Sequence, residues 1–179
     1  MRVAMALVLG GWLLGTLMVA GVATQNFFII DRILRSSANP ALQHPTFRQK
    51  LSGLAPGEAR EILRYLASEL NRFYFYVWGW LELAFGGFLL AGAVWGLHDR
   101  RLVVGFAVML CLVLVSNFYL IPHLVEVGRS LDFVPRDPAP PELALFGRLH
   151  AAYSGLDLAR LAVGVWMAVV LMRLGPGPD

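Results

Sequence analysis

No charged residue occurs between Arg2 and Asp31, and the intervening residues are almost all apolar. A helix over residues 3–30 is about 40 Å long, and the hydrocarbon core of a bilayer is about 30 Å thick. The run therefore predicts a membrane-spanning helix with some tilt. A cleaved signal peptide is the weaker alternative, because the apolar stretch exceeds the usual signal core of about 7 to 15 residues and has no polar cleavage region.

Two further runs have the same character. Residues 73–97 carry one acidic side chain, Glu82, and residues 102–125 carry no formal charge apart from that of His123. Over the whole chain 58% of residues are hydrophobic and 15% are charged, whereas a soluble domain has about 25% charged residues. Both runs are long enough to cross a membrane, and the bilayer is the expected environment of most of the chain.

The last run is shorter than a span. Leu161 to Met172 supplies twelve uninterrupted apolar residues, whereas a span needs roughly 17 to 25. A fourth helix that begins near His150 would reach the required length. It would carry Asp157 and Arg160 into the membrane or to a position just below its surface.

These observations predict an all-α fold, an integral membrane four-helix bundle formed by a single domain over residues 1–179. Its spans cover about 3–30, 73–97, 102–125 and 150–172. Residues 58–72 have apolar side chains at helical spacing and charged side chains on the other faces, which predicts an amphipathic helical extension before the second span. This extension either lies on the membrane surface or continues the bundle into the cytoplasm.

The basic residues predict the orientation of the chain. Loops 31–72 and 126–149 hold most of them: Arg32, Arg35, Arg48, Lys50, Arg60, Arg64, Arg72, Arg129, Arg136 and Arg148. The opposite side has Arg2, Arg100, Arg101 and Arg173. Since cytoplasmic loops are rich in arginine and lysine, we expect both loops in the cytoplasm and both termini outside, in a bacterial plasma membrane. The basic residues form no patch that would indicate nucleic-acid binding.

Prolines predict the irregular parts of the chain. The segment from Asn39 to Gly57 is broken by prolines and is expected to be irregular. Residues 135–141 are rich in proline and predict a stiff connector, after which Glu142 lies in the first turn of a new helix. Pro122 is expected to kink the third helix.

Small and aromatic residues indicate how the spans pack. Gly11 and Gly15, and Gly92 and Gly96, form pairs of the small-xxx-small kind, which we interpret as packing within the bundle. The tryptophans mostly fall toward span ends, as aromatic belts do; they are Trp12, Trp78, Trp80, Trp95 and Trp166.

Polar side chains within the spans define a candidate site. An ionisable residue at the bilayer centre costs about 2.5 to 3.5 kcal/mol on insertion scales and usually faces the bundle interior. Helical spacing and depth place one set of polar residues in the cytoplasmic half of the bundle and Glu82 near the midplane. The set predicts a polar pocket open toward the cytoplasm, lined by Gln25, Asn26, Glu82, Asn117, His123, His150, Tyr153, Ser154, Asp157 and Arg160.

The charged residues and the histidines of this set also have structural explanations. Asp157 and Arg160 are three residues apart on a helix and can neutralise one another. Glu82 can act as a neutral acid that is hydrogen-bonded to a neighbouring helix. His123 and His150 can be ordinary interfacial residues near the lipid headgroups. The functional interpretation depends on the convergence of the set.

Two segments carry a family resemblance. Residues 117–122, Asn-Phe-Tyr-Leu-Ile-Pro, and residues 146–150, Phe-Gly-Arg-Leu-His, followed by Ser154 and Asp157, resemble a family of uncharacterised four-span membrane proteins. That family is related to the copper-resistance D type, a superfamily that includes haem-binding membrane oxidoreductases. The resemblance implies asparagine at position 157 and commonly serine at 153, where this chain has Asp157 and Tyr153; Arg160 would compensate the added charge.

Three functions follow as hypotheses. His123 and His150 could bind a copper ion or the axial positions of a haem, since imidazole suits both. The 58–72 helix could instead dock a protein partner, as in a non-catalytic membrane subunit or assembly factor, and association with a second copy of the chain is left open. Glu82 and Asp157 could form a proton or ion pathway. No hydrolase motif is present, and enzymatic activity is left open.

Overall fold

The helices of the chain are long, and four helical stretches can each cross a bilayer. In a computed structural model, which describes residues 1–35 and 44–174, the helices are α1 (Arg2–Arg35), α2 (Pro45–Ser52), α3 (Glu58–Ala91), α4 (Arg100–Val115), α5 (Ile121–Ser130) and α6 (Glu142–Arg173). The stretches apolar and long enough to span are Arg2–Leu34, Glu58–Leu97, Arg100–Ser130 and Glu142–Arg173. The predicted all-α integral membrane four-helix bundle is confirmed.

Two π-helical turns interrupt the regular helices. Gly92–Leu97 continues α3 to its end, and Ser116–Leu120 joins α4 to α5. The second turn ends two residues before Pro122, which occupies the first turn of α5. Proline has no backbone N–H to donate within the helix, and the helix changes locally to the π type just before it. The third span continues beyond the proline.

The chain divides into two compact units. The larger contains Met1–Met18 and Phe75–Asp179, and the smaller contains Val19–Tyr74. The core of the larger unit is apolar and joins α1, α3, α4 and α6; its buried members are Met5, Leu9, Trp12, Leu89, Ala93, Leu102, Phe106, Met109, Val113, Met167, Val170 and Leu171.

In the smaller unit the start of α3 packs on the end of α1. Asn26 Nδ2 donates to Asn71 Oδ1 at 2.7 Å, and Asn71 Nδ2 donates to the Ala23 carbonyl at 3.0 Å. Arg60 forms an ion pair with Asp31 at 2.8 Å. The predicted amphipathic segment is therefore the first part of the same helix as the second span, with one polar face against α1. Its other face exposes apolar side chains, namely Ile62, Leu66, Leu70 and Phe73.

The prediction of an irregular segment from Asn39 to Gly57 is wrong for Pro45–Ser52, which forms α2. Pro45 lies in the first turn of that helix, where its missing N–H would have no partner in any case, so the proline favours the helix start. Residues 36–43 lie outside the described part of the chain. The connector predicted at 135–141 contains no helix, and Glu142 lies in the first turn of α6 as expected.

Glycines permit close helix contacts in the larger unit. A Cβ added at Gly15 would overlap the Trp78 ring, and one added at Gly92 would lie 2.8 Å from Met5 Sδ. A Cβ at Gly11 would meet nothing within 4 Å. The predicted role of these glycines in bundle packing holds for Gly15 and Gly92, whereas Gly11 faces open space.

We expect Gly15→Ala to lower the free energy of unfolding by about 1 to 3 kcal/mol, because the new methyl group displaces the Trp78 ring. Gly11→Ala, one turn earlier in the same helix, should change it by less than about 0.5 kcal/mol. Denaturant titration in detergent micelles measures both variants. Equal destabilisation by the two substitutions would contradict the contact between Gly15 and Trp78.

Candidate functional site: a buried carboxylate and arginine cluster

Glu82 lies at the centre of the site and is almost fully buried, with 1% of its surface exposed. Trp12 Nε1 donates to Glu82 Oε1 at 3.0 Å, and Arg160 Nη1 donates to Oε2 at 2.7 Å. Thr16 Oγ1 lies 3.5 Å from Oε1 but has a shorter contact, 3.1 Å, with the Trp12 carbonyl. The indole and guanidinium groups can only donate, so Glu82 is held here as an acceptor.

Arg160 is shared between two carboxylates. It reaches Glu82 on α3 and also forms an ion pair with Asp157, one turn earlier on α6. The side chains of Arg160 and Glu82 are 3% and 2% exposed, whereas Asp157 is 17% exposed. The predicted pairing of Asp157 with Arg160 is present, and Glu82 is an additional partner. Both carboxylate oxygens of Glu82 accept hydrogen bonds, Oε1 from Trp12 and Oε2 from Arg160.

Tyr153 completes the cluster on α6. Its side chain is buried and interacts electrostatically with both Glu82 and Arg160. Its ring packs edge-on against Phe75 of α3, with 5.5 Å between the ring centroids. Tyr153, Asp157 and Arg160 recur at intervals of four and three residues, so one stripe of α6 faces α3.

The face of α3 that carries Glu82 fits closely against the third span, at α4 and at the π-helical turn that follows it. A Cβ at Gly79 would lie 2.5 Å from Asn117 Oδ1, and one at Gly86 would lie 2.8 Å from Leu110 Cδ1. Glu82 lies between these two glycines on the same face. The absence of side chains on either side of it lets the third span approach α3 closely at this level.

The charges of the cluster do not balance when both carboxylates are ionised. Two negative groups then surround one guanidinium, which leaves one net negative charge in the interior of a membrane protein. A buried unpaired charge is costly, and the bilayer provides no water to screen it. One additional positive charge, such as a proton on a carboxylate, would neutralise the group.

Four of the predicted site residues come together: Glu82, Tyr153, Asp157 and Arg160. Asn117 lies beside the same face and donates from Nδ2 to the Gly79 carbonyl at 2.8 Å. Ser154 is half-buried on α6. Gln25 and Asn26 belong to the smaller unit, where Gln25 is exposed and Asn26 bonds to Asn71.

The histidines lie on the surface of the larger unit. His123 is exposed, and its Nδ1 donates to the Tyr119 carbonyl at 2.7 Å, one turn earlier on the third span. His150 is also exposed and stacks on Phe146 of its own helix, with 6.1 Å between the ring centroids. Each histidine therefore contacts an aromatic residue of its own span.

Sequence reasoning missed Trp12 and Thr16 as site residues. Trp12 was assigned to an aromatic belt, but it is 1% exposed and bonds to Glu82. The available signal was its position ten residues after Arg2, about 15 Å along a helix and therefore near mid-membrane. Thr16 follows at the next helical position on the same face.

Comparison of the chain with known protein families, with curated proteins and with solved structures finds no match. Within residues 1–35 and 44–174, no group of three or more His, Cys, Asp or Glu side chains is arranged to hold a metal ion.

We expect Arg160→Met to lower the free energy of unfolding by about 3 to 5 kcal/mol, because it leaves Glu82 buried without its cation. Arg173→Met, at an exposed position of the same helix, should change it by less than about 0.5 kcal/mol. Denaturant titration in micelles measures both.

Adding Glu82→Gln to Arg160→Met should recover part of the lost stability, since it removes the uncompensated charge. Strictly additive losses in the double variant would contradict the pairing of these two side chains.

Proposed function

We propose that this integral membrane protein takes up and releases a proton at the Glu82, Arg160 and Asp157 cluster, as part of a proton or ion pathway. The observation that carries the proposal is the sharing of one buried guanidinium by two carboxylates. Intramembrane ionisable groups that face a bundle interior commonly serve as proton relays.

The charge of the cluster selects the ligand class. With both carboxylates ionised the cluster lacks one positive charge, so it favours the binding of a single monovalent cation. A proton needs no coordination shell and fits a packed site in which Glu82 is 1% exposed. A sodium ion would need several oxygen ligands, so the proton is the better candidate and sodium is the alternative that the experiment below separates.

Asp157 is the expected entry point of the proton. It is the most exposed of the three charged side chains, and it lies nearer the start of α6 than Arg160. A proton that reaches Asp157 weakens the attraction of that carboxylate for Arg160. The guanidinium can then interact more strongly with Glu82, and loss of the proton restores the shared arrangement.

The expected orientation of the chain in the membrane determines the side on which the proton is exchanged. The excess of arginine and lysine in loops 31–72 and 126–149 supports cytoplasmic loops and external termini, in a bacterial plasma membrane. The start of α6, and with it Asp157, then lies toward the cytoplasm. The proton would be exchanged with the cytoplasmic solution.

We expect Glu82→Gln to abolish proton flux into liposomes that contain the protein and a pH-sensitive dye, because Asp157 alone then balances the charge of Arg160 and the cluster no longer favours an added proton. Glu142→Gln, the same change at an exposed position near the start of α6, should leave the flux unchanged. A sodium gradient at constant pH tests the alternative ion. Flux by Glu82→Gln equal to that of the unmodified protein, or unmodified flux equal to that of empty liposomes, would refute the proposal.

The histidines support a second candidate function, haem binding. A carbonyl can only accept, so the hydrogen bond to Tyr119 places the proton of His123 on Nδ1 and leaves the Nε2 lone pair for a metal. His150 lies on α6, which packs against α5. Copper has less support, because the described residues contain no group of three His, Cys, Asp or Glu side chains arranged to hold a metal ion.

If the histidines ligate haem, the purified protein should show a Soret band that is lost in both His123→Ala and His150→Ala. His44→Ala, a change at an exposed histidine before α2, should keep the band. Absorption spectra after addition of haem, with elemental analysis for copper, test this candidate. Identical spectra for all three variants would dismiss it.

A further inference from the structure

Besides Arg160 Nε in the cluster itself, three buried polar atoms beside the cluster have no hydrogen-bond partner within the described part of the chain. They are Trp78 Nε1, Ser116 Oγ and Asn117 Oδ1. Ser116 is 0% exposed. Because buried polar atoms are nearly always paired with protein groups or with ordered water, three such atoms on two neighbouring spans indicate a place for water molecules.

The residues that carry these atoms lie on one side of Glu82 along their helices. Trp78 precedes Glu82 by four residues, about 6 Å along α3. The bond from Asn117 Nδ2 to the Gly79 carbonyl places the π-helical turn Ser116–Leu120 beside the same part of α3. That turn also packs against α6, on which Asp157 precedes Arg160. We call the membrane side that carries the two large loops the loop side. All these positions lie between Glu82 and the loop side.

The opposite side of the cluster is closed by apolar side chains. Arg2 donates to the Leu174 carbonyl, so the start of α1 and the end of α6 meet at what we call the terminal side. Between that end and Glu82 the core consists of side chains that are 0 to 1% exposed, namely Met5, Leu9, Leu89, Ala93, Leu102, Phe106, Met109, Val113, Met167 and Leu171. Such a layer has no polar group to hold water.

We infer that water molecules bound by Trp78, Ser116 and Asn117 connect the cluster with the loop side, and that the apolar layer separates it from the terminal side. A hydronium ion at the loop side would pass a proton along these waters, each water accepting one proton and releasing another. A carboxylate oxygen of the cluster would gain the O–H bond. This inference deepens the proposed function. The role of these waters in carrying protons rests on that function, whereas their position does not.

A pair of cysteine substitutions tests the position of the water. Ser116 and Val113 are both 0% exposed, lie three residues apart on the same span, and are close to cysteine in size. Cys111, the single cysteine of the chain, is exposed and is first replaced by alanine. In this background, each full-length variant is reconstituted in lipid and transferred into D2O, and the S–H stretching band of its thiol is followed by infrared spectroscopy.

We expect the Ser116→Cys thiol to exchange its proton for deuterium at least about tenfold faster than the Val113→Cys thiol, which can exchange only when the helix packing opens. Equal rates, whether both fast or both slow, would overturn the inference. Because both substitutions are nearly isosteric, far-ultraviolet circular dichroism of the two variants should match that of the parent. A variant that fails this check is replaced by Asn117→Cys or Met109→Cys respectively.

The exchange experiment and the flux experiment fail independently. Fast exchange in Ser116→Cys together with unchanged flux in Glu82→Gln would keep the bound water and refute the proton function. Equal exchange rates together with flux that depends on Glu82 would keep the proton function and refute this water route.

Discussion

An arginine inside a bilayer needs a negative partner for its charge and acceptors for its N–H groups. Glu82 and Asp157 provide both for Arg160. The need arises from the shortness of the apolar stretch after Leu161, which cannot cross the hydrocarbon region without the residues before it. The same contact fixes how α6 is rotated against α3, because only one face of each helix carries the charges. Trp12 extends the network to α1, so three of the four spanning helices meet at one carboxylate.

The two halves of the larger unit differ in chemistry around this point. Toward the terminal side the core is apolar and tightly packed, and toward the loop side it contains Tyr153, Asn117 and Ser116. This asymmetry favours a site that exchanges with one solution at a time over an open channel. In the proposed pathway, release to the terminal side would require the apolar layer to open, which couples proton movement to a change in helix packing.

The sequence allowed the spans, their order and the Asp157 and Arg160 pair to be predicted, because these depend on run length and on spacing within one helix. The depth of Glu82 could also be predicted, but its partners could not, since depth along a helix does not determine which faces of neighbouring helices meet. For the same reason Trp12 was assigned to a lipid interface, and exposed His123 was grouped with buried side chains. The helix at Pro45 was missed because proline ends a helix at most positions but starts one well.

Solid-state NMR of the protein in lipid bilayers tests the central claim most directly. With 15N-labelled arginine and 13C-labelled glutamate, a dipolar coupling between the Arg160 guanidinium nitrogen and the Glu82 carboxyl carbon should be observed, at a separation of about 3 to 4 Å expected for a hydrogen-bonded ion pair. The signal should vanish in Glu82→Gln, which also assigns it. The absence of this coupling in the unmodified protein, with the Glu82 carboxyl carbon instead in contact with lipid, would contradict the account.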